Sequence, residues 1–314
     1  MAFDLVVFNK QIYTGMTETV DQQLDAFNAA SNNALVLAPS SSNMGDFAIE
    51  ASFKAISGLV RRRNATASTA VASTNLQQLK KAAVKVAAGT PPIIFEPGQY
   101  RWIQESPETA AVVIGEQLAQ GMLQDQLNTA VRSLVAAISG NSAAVHTITT
   151  TASIAALTSA AGKFGDRQSS IAAWIVHSKV MGDIWQAALQ NSNQLFRFGD
   201  VAVMQDQFGR KFIITDSPAL VNDDTYYSLG LVQQAALVEP NNDFDATMVD
   251  STGMENIQRT YQAEWSYNVG LYGYGWKTAT GGASPTDTAL GTSANWEQTA
   301  SSVKDTAGVI LASN

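Results

Sequence analysis

Cysteine is absent from all 314 residues, which removes disulfides, thiolate zinc sites, iron–sulfur clusters and cysteine nucleophiles together and leaves the redox compartment open. Charge is scarce: Asp, Glu, Lys and Arg make up 15% of the chain, against roughly 25% in an average soluble domain. Histidine occurs only at His146 and His177, so hydrolytic schemes are poorly supplied. No window approaches the roughly 18 consecutive apolar residues of a membrane span. The opening MAFDLVVFNK carries Asp4 and no basic run before its short apolar stretch, unlike a secretory signal. A soluble chain is expected, with no membrane contact.

Acidic residues are also missing locally. From Ala51 to Phe95 there is no Asp or Glu, while Lys54, Arg61, Arg62, Arg63, Lys80, Lys81 and Lys85 give a net of +7. The rest of the chain then holds 12 bases against 27 acids, or −15, and the total is −8. Such a split suits either a nucleic-acid patch or a basic arm meant for an acidic surface of another copy. No aromatic residue lies between Arg61 and Lys85, which argues against base stacking. The acidic whole argues against non-specific duplex binding. Ala, Ser, Thr, Gln and Asn stand where charge is missing, and the centres of protein interfaces are depleted of charge in the same way. At 33.4 kDa the chain exceeds the usual size of a single core, so two lobes, or one lobe with long extensions, are expected.

Local pattern gives a coarse organisation. A short strand-like stretch opens the chain, followed by Thr19-x-x-Gln22 as a capping box ahead of Val20, Leu24 and Phe27 at helical spacing. One helix of about three turns needs a surface to lie on. From Gly45 to about Arg101, small residues, Pro91-Pro92 and Pro97-Gly98 predict extended arms and hairpins. Ser106 as N-cap, Pro107 at the first position and Gly140 as stop predict a spine helix about 50 Å long at 1.5 Å per residue. Strands are expected over Ala144–Thr151, Ile171–Val176 and Phe212–Ile214, with helices after Ile154 and Ser178, and a strand plus short helix over Tyr226–Val238. This is a compact α/β or α+β lobe. Strict alternation from Tyr261 to Leu271, extended to Trp276, predicts a very long strand beside the spine helix, joined there by a closing strand Gly308–Leu311.

Chemistry-bearing motifs are missing. His177 stands at a strand-to-helix junction, where a structural role is expected, and Gly-x-Ser-x-Gly, His-Glu-x-x-His and Walker sequences are absent. Asp243-Phe-Asp245 resembles a calcium loop but has Met248 and Met254 where glycine and an acid are needed, so a solvated acidic loop is expected. Gly270, Gly273 and Gly275 sit in a strand pattern and suit close backbone approach rather than phosphate binding. No cofactor, metal or catalytic residue is predicted.

The ordered set of a basic extended arm, spine helix, α/β lobe, long strand and terminal strand resembles the major capsid proteins of tailed bacteriophages, which have the α+β Hong Kong 97-like fold. The stretches that carry the likeness are Gly45–Glu50 to Leu59-Val-Arg-Arg-Arg63, Ala173–Asp183, Phe208–Pro218 and Ala307–Leu311. The resemblance implies an N-terminal arm over 1–44, an extended E-loop over 45–104, a peripheral domain over 105–145 and 256–314, and an axial domain over 146–255. It also implies pentamers and hexamers closing into an icosahedral shell around double-stranded DNA without sequence-specific binding, assembled in the host cytoplasm with scaffold, portal and decoration proteins as partners. Some members of the family cross-link a lysine to an asparagine with a glutamate as base. Lys54, Lys80, Lys81 and Lys85 are available for this, with Asn268, Asn295 and Glu264. An encapsulin-like shell around protein cargo is the alternative, disfavoured by the 44 arm-like residues ahead of the E-loop. An α+β enzyme is disfavoured by the missing motifs.

Overall fold

The computed structural model describes residues 5–38, 47–53, 66, 78–188, 193–198, 201–205, 211–253 and 255–314. Helix α1 spans Leu5–Ala30. Phe8, Ile12, Met16, Val20, Leu24 and Phe27 recur every three or four residues, and all are buried. The expected opening strand is therefore helix: the apolar stripe of Val20 continues backward through Phe8, and period outweighs the β-branched start. Thr19 is not a cap, because it lies inside α1 with its hydroxyl donating to the Gly15 carbonyl at 2.9 Å.

The surface on which α1 lies is the spine helix. Helix α2 (Pro97–Glu105) runs directly into α3 (Pro107–Ser139). Pro97-Gly98 thus opens a helix instead of making a turn, since proline at a first helical position loses no hydrogen bond, and the Glu96 amide donates to the Gln99 side chain at 3.0 Å. The spine matches its predicted limits, although the Ser106 side chain makes no cap and Gly140 has a right-handed φ of −64°. At Gly115 an added Cβ would stand 2.9 Å from the Ile12 carbonyl oxygen and 3.2 Å from the Met16 nitrogen, so glycine lets the backbones of α1 and α3 approach.

Among the described residues the strands form two sheets. In chain order they are β1 (Leu35–Leu37), β2 (Phe47–Phe53), β3 (Gln78–Gly89), β4 (Ile93–Phe95), β5 (Val145–Thr147), β6 (Ile171–Val176), β7 (Asn193–Phe198), β8 (Val201–Gln205) and β9 (Lys211–Ile214). There follow β10 (Val221–Asn222), β11 (Thr225–Val232), β12 (Ala236–Pro240), β13 (Asp245–Ser251), β14 (Gln258–Leu271), β15 (Tyr274–Trp276), β16 (Trp296–Gln298) and β17 (Gly308–Ser313). The first sheet is built on β14, with β12 and β13 along one edge and β3 and β4 along the other. Its 14 residues extend about 48 Å at 3.4 Å per residue, matching the spine helix.

The long strand does not continue to Trp276. Gly273, with φ of +73°, turns the chain so that β15 runs back against β14, Leu271 facing Tyr274. Only glycine fits there, because a Cβ would stand 2.5 Å from the Asp305 carbonyl oxygen. Tyr261, Ala263, Trp265, Tyr267, Val269 and Leu271 are buried as the alternation predicts, but Ser266 and Asn268 on the opposite face are buried too. The helix expected before Val238 is strand β12, whose alternating burial fits between β1 and β14.

The second sheet has the order β5-β17-β11-β6-β9-β8-β7, with β10 on β11, and carries α4 (Ile154–Ala161) and α5 (Ser178–Ala188). The closing strand lies here rather than beside β14. Every residue of β17 is buried, and it pairs parallel with β5 and antiparallel with β11. An unbroken apolar strand needs cover on both faces, and its place between β5 and β11 puts it inside this sheet. Conversely β12 and β13, expected in the α/β lobe, belong to the first sheet.

Candidate functional site

The basic segment is organised by a hairpin. β2 pairs antiparallel with β3 from Phe47 opposite Val84 to Phe53 opposite Gln78, and the far half of β3, Val84–Gly89, pairs with β14. Lys54, Arg61, Arg62 and Arg63 lie outside the described residues. Lys80 and Lys81 stand in β3 opposite Ala51 and Glu50. Lys85 faces Asn268 across β14, and its Nζ is 3.5 Å from Asp243 Oδ2, so this lysine already has a carboxylate of its own chain.

Asp243 anchors the polar face of β14. Its carboxylate accepts from the Ser266 backbone N–H at 2.9 Å and from the Ser266 hydroxyl. Asn241 donates to Ser266 Oγ at 2.9 Å and accepts from Asn268 at 3.0 Å. This chain of bonds explains why Ser266 and Asn268 can be buried. The signal missed in the sequence was the loop aspartate itself, whose partners lie far along the chain. Neighbouring Phe244 stacks on Trp265 at 6.3 Å and meets Tyr13 at 5.2 Å. Replacing Asp243 with alanine is expected to cost about 1–3 kcal/mol, because two donors of buried Ser266 lose their acceptor. Urea unfolding checks this, and an unchanged midpoint would refute it.

Asn268 and Asn295 are 1% and 8% exposed. The Asn295 amide donates to the Ala289 carbonyl at 2.9 Å. Both side chains are thus engaged inside the subunit, whereas Glu264 is exposed on β14, directly opposite exposed Asp245. Like charges facing across a strand pair repel, so this spot favours an incoming cation. On the same sheet face Val249 and Ile94, 56% and 53% exposed, flank Thr260. Elsewhere Lys304 bridges Asp166 while Arg167 bridges Asp305, a reciprocal pair that ties two surface loops. The Lys304 ammonium holds the Asp166 carboxyl below its ordinary range.

A groove of about 750 Å³ runs between α3, the end of β3 and β14. In it Asp125 accepts from the Tyr267 hydroxyl at 2.7 Å, and Tyr267 shares a second bond of 2.9 Å with Thr129. Burial pushes the Asp125 carboxyl up, and burial followed by the Asp125 charge pushes the Tyr267 phenol up. Neither histidine lines this groove. His177 closes the start of α5: its Nδ1 accepts from the Lys179 N–H at 3.2 Å, and Nε2 is 3.6 Å from Asp216. Asp216 accepts from the Ser178 N–H at 3.2 Å, and its bond to Ser178 holds its carboxyl low. His146 lies in β5 opposite Leu311. Among the described residues no group of three metal-ligating side chains occurs, and no helix is long and apolar enough to cross a membrane.

A spine helix beside a long strand, a projecting basic hairpin and a separate mixed sheet define an α+β subunit of the Hong Kong 97-like fold, the class that builds bacteriophage shells. A solved structure from Microbacterium phage Oxtober96 matches with a TM-score of 0.52 at 12% identity, covering 91% of each chain. One from Mycobacterium phage Cain matches with a TM-score of 0.55 at 10% identity, over 91% of this chain and 90% of the other. The sequence model of the Gp13-like family, described as major capsid protein 13-like, matches residues 4–310, and the chain belongs to that family. No curated protein matches it in sequence. It is a structural capsid protein of a tailed phage, located in the virion, where copies assemble into a multi-subunit shell.

Proposed function

We propose that this subunit closes into pentamers and hexamers of an icosahedral head around double-stranded DNA, acts without catalysis, and assembles in the host cytoplasm with scaffold, portal and decoration proteins. Residues 1–44 serve as the N-terminal arm, 45–104 as the E-loop, 105–145 and 256–314 as the peripheral domain, and 146–255 as the axial domain. Within that scheme β17 is the peripheral range's contribution to the axial sheet, and α1 docks the arm on its own spine.

The observation that carries this reading is the separation of charge, a +7 segment against a −15 remainder. Complementary charge between copies fixes register and raises association rates. Lys54, Arg61, Arg62, Arg63, Lys80 and Lys81 are the inter-subunit residues, and Lys85 keeps the base of the hairpin on Asp243.

Particles purified from infected or expressing cells test the reading. Negative-stain images are expected to show closed shells, and particles from infected cells are expected to hold double-stranded DNA. Shells filled with protein and free of nucleic acid would establish the nanocompartment alternative instead.

A further inference from the structure

The groove beside α3 holds more negative than positive charge. Asp125 from α3 and Asp287 from the segment 284–287 both line it. Arg132 bridges Asp287, whereas Asp125 accepts the Tyr267 hydroxyl and makes no ion pair among the described residues. Burial raises the Asp125 carboxyl, and the charge of Asp287 adds to that rise. A half-buried carboxylate is costly unless a cation joins it.

The remaining walls are apolar and aromatic. Leu118 and Met122 come from α3, and Tyr261 and Trp265 from β14. Tyr261 is 1% exposed, and among the described residues its hydroxyl has no hydrogen-bond partner. Burial pushes this phenol up to about 12, so it stays neutral and keeps an oxygen lone pair for an incoming donor. Tyr261 and Tyr267 both line the groove, which therefore runs about 20 Å along β14 at 3.4 Å per residue. Its volume of about 750 Å³ is that of a small-molecule site.

A carboxylate near one end, a neutral acceptor near the other and an indole between them select for a long molecule that carries positive charge at intervals. A bare metal ion would leave Leu118 and Met122 uncovered, and a neutral hydrocarbon would leave Asp125 unpaired. Ammonium groups joined by methylene chains meet both demands: one ammonium pairs with Asp125, another donates to Tyr261, the Trp265 ring attracts the cation, and the methylenes cover the aliphatic walls.

We propose that the groove beside α3 binds a linear aliphatic polyamine in its protonated form, which ties the spine helix to β14. The site is complete within one subunit and is independent of shell formation.

Calorimetric titration of the full-length, unassembled subunit with spermidine tests this. Saturable binding is expected, weakened about tenfold in Asp125→Asn, which keeps an oxygen for the Tyr267 hydroxyl. Gly121 lines the groove, and a Cβ added there meets nothing within 4 Å, so Gly121→Leu grows into the groove and is expected to abolish binding. Circular dichroism verifies that both variants fold, and the isosteric Asp125→Asn decides the matter if Gly121→Leu does not. A chain of net charge −8 also attracts polycations without any site, so Glu264→Gln, outside the groove, is the control and should leave binding unchanged. Spermidine should also raise the thermal midpoint of wild type and leave that of Gly121→Leu where it was. Absence of binding to wild type overturns the proposal. So does equal weakening in Glu264→Gln and Asp125→Asn, or magnesium chloride binding as tightly as spermidine, since either result reduces the effect to bulk charge.

Discussion

Replacing Arg61, Arg62 and Arg63 together with alanine is expected to abolish shell formation while leaving the subunit folded. The three residues lie in a segment with no core-forming pattern and supply three of its seven positive charges. Surface substitutions away from packed features usually change stability by within about 0.5 kcal/mol, so the unfolding midpoint should stay near that of wild type. Assembly is different, because a contact made by the proposed inter-subunit arm would recur at every subunit boundary of the shell. Salt should imitate the substitution: near 1 M ionic strength the screening length falls to about 3 Å, and wild-type shells should form slowly or not at all. Size-exclusion chromatography and negative-stain imaging provide the measurement. Normal shells from the triple variant would remove the basic arm from the assembly mechanism.

Gly308→Ala is expected to have the largest effect on folding. An added Cβ would stand 2.1 Å from the Gly230 carbonyl oxygen and 3.1 Å from the Leu231 Cα. Both atoms belong to the backbone of β11, which is held on its other side by β6, so no side-chain rotation relieves the clash. Overpacking a dense core costs typically 1–3 kcal/mol and occasionally more. Here the ladder between β11 and β17 itself must shift, and a loss of at least about 3 kcal/mol is expected, a large part of a total stability of roughly 5–15 kcal/mol. Gly121→Ala serves as the contrast, since its new methyl meets nothing and the helix gains up to about 1 kcal/mol. Thermal unfolding of the two variants should therefore move in opposite directions. A Gly308→Ala protein that melts with wild type would show that β17 is less tightly held than its burial indicates.

Much of this architecture was legible before any coordinates. The limits of α3 follow from Pro107, Gly140 and the apolar residues at helical spacing between them, all short-range signals. β14 announces itself by alternation over more residues than an ordinary strand has. What escaped is pairing at a distance. Val309, Ile310 and Leu311 state that both faces of their strand are covered, but not by which sheet, and the sequence reading gave them to the wrong one. The opening of α1 misled because Leu5, Val6 and Val7 favour strands locally, while the stripe from Phe8 to Phe27 decides the outcome only when taken whole.

The basic segment was visible as an acid-free run. Which of its members remain available was not, since nothing adjacent to Lys85 predicts that Asp243 will meet it. Asp125 was equally hidden: in the sequence it is a charge that interrupts an apolar helix face, and only the approach of β14 places Tyr267 on it.

The position of β17 sets the order in which the subunit can be completed. A chain emerging from the ribosome presents β5, β6 and β11 long before the strand that belongs between β5 and β11 has been made. Until then the second sheet lacks the strand that joins β5 to β11 and leaves the backbone edges of both open, the kind of surface on which unfinished chains adhere to one another. The first sheet needs nothing made after β16, and α1 can settle on α3 as soon as α3 has been made. Synthesis thus leaves the second lobe incomplete until β17 follows β5, β6 and β11, and a shell made of many such chains gains from a step that withholds the finished lobe until that strand is present.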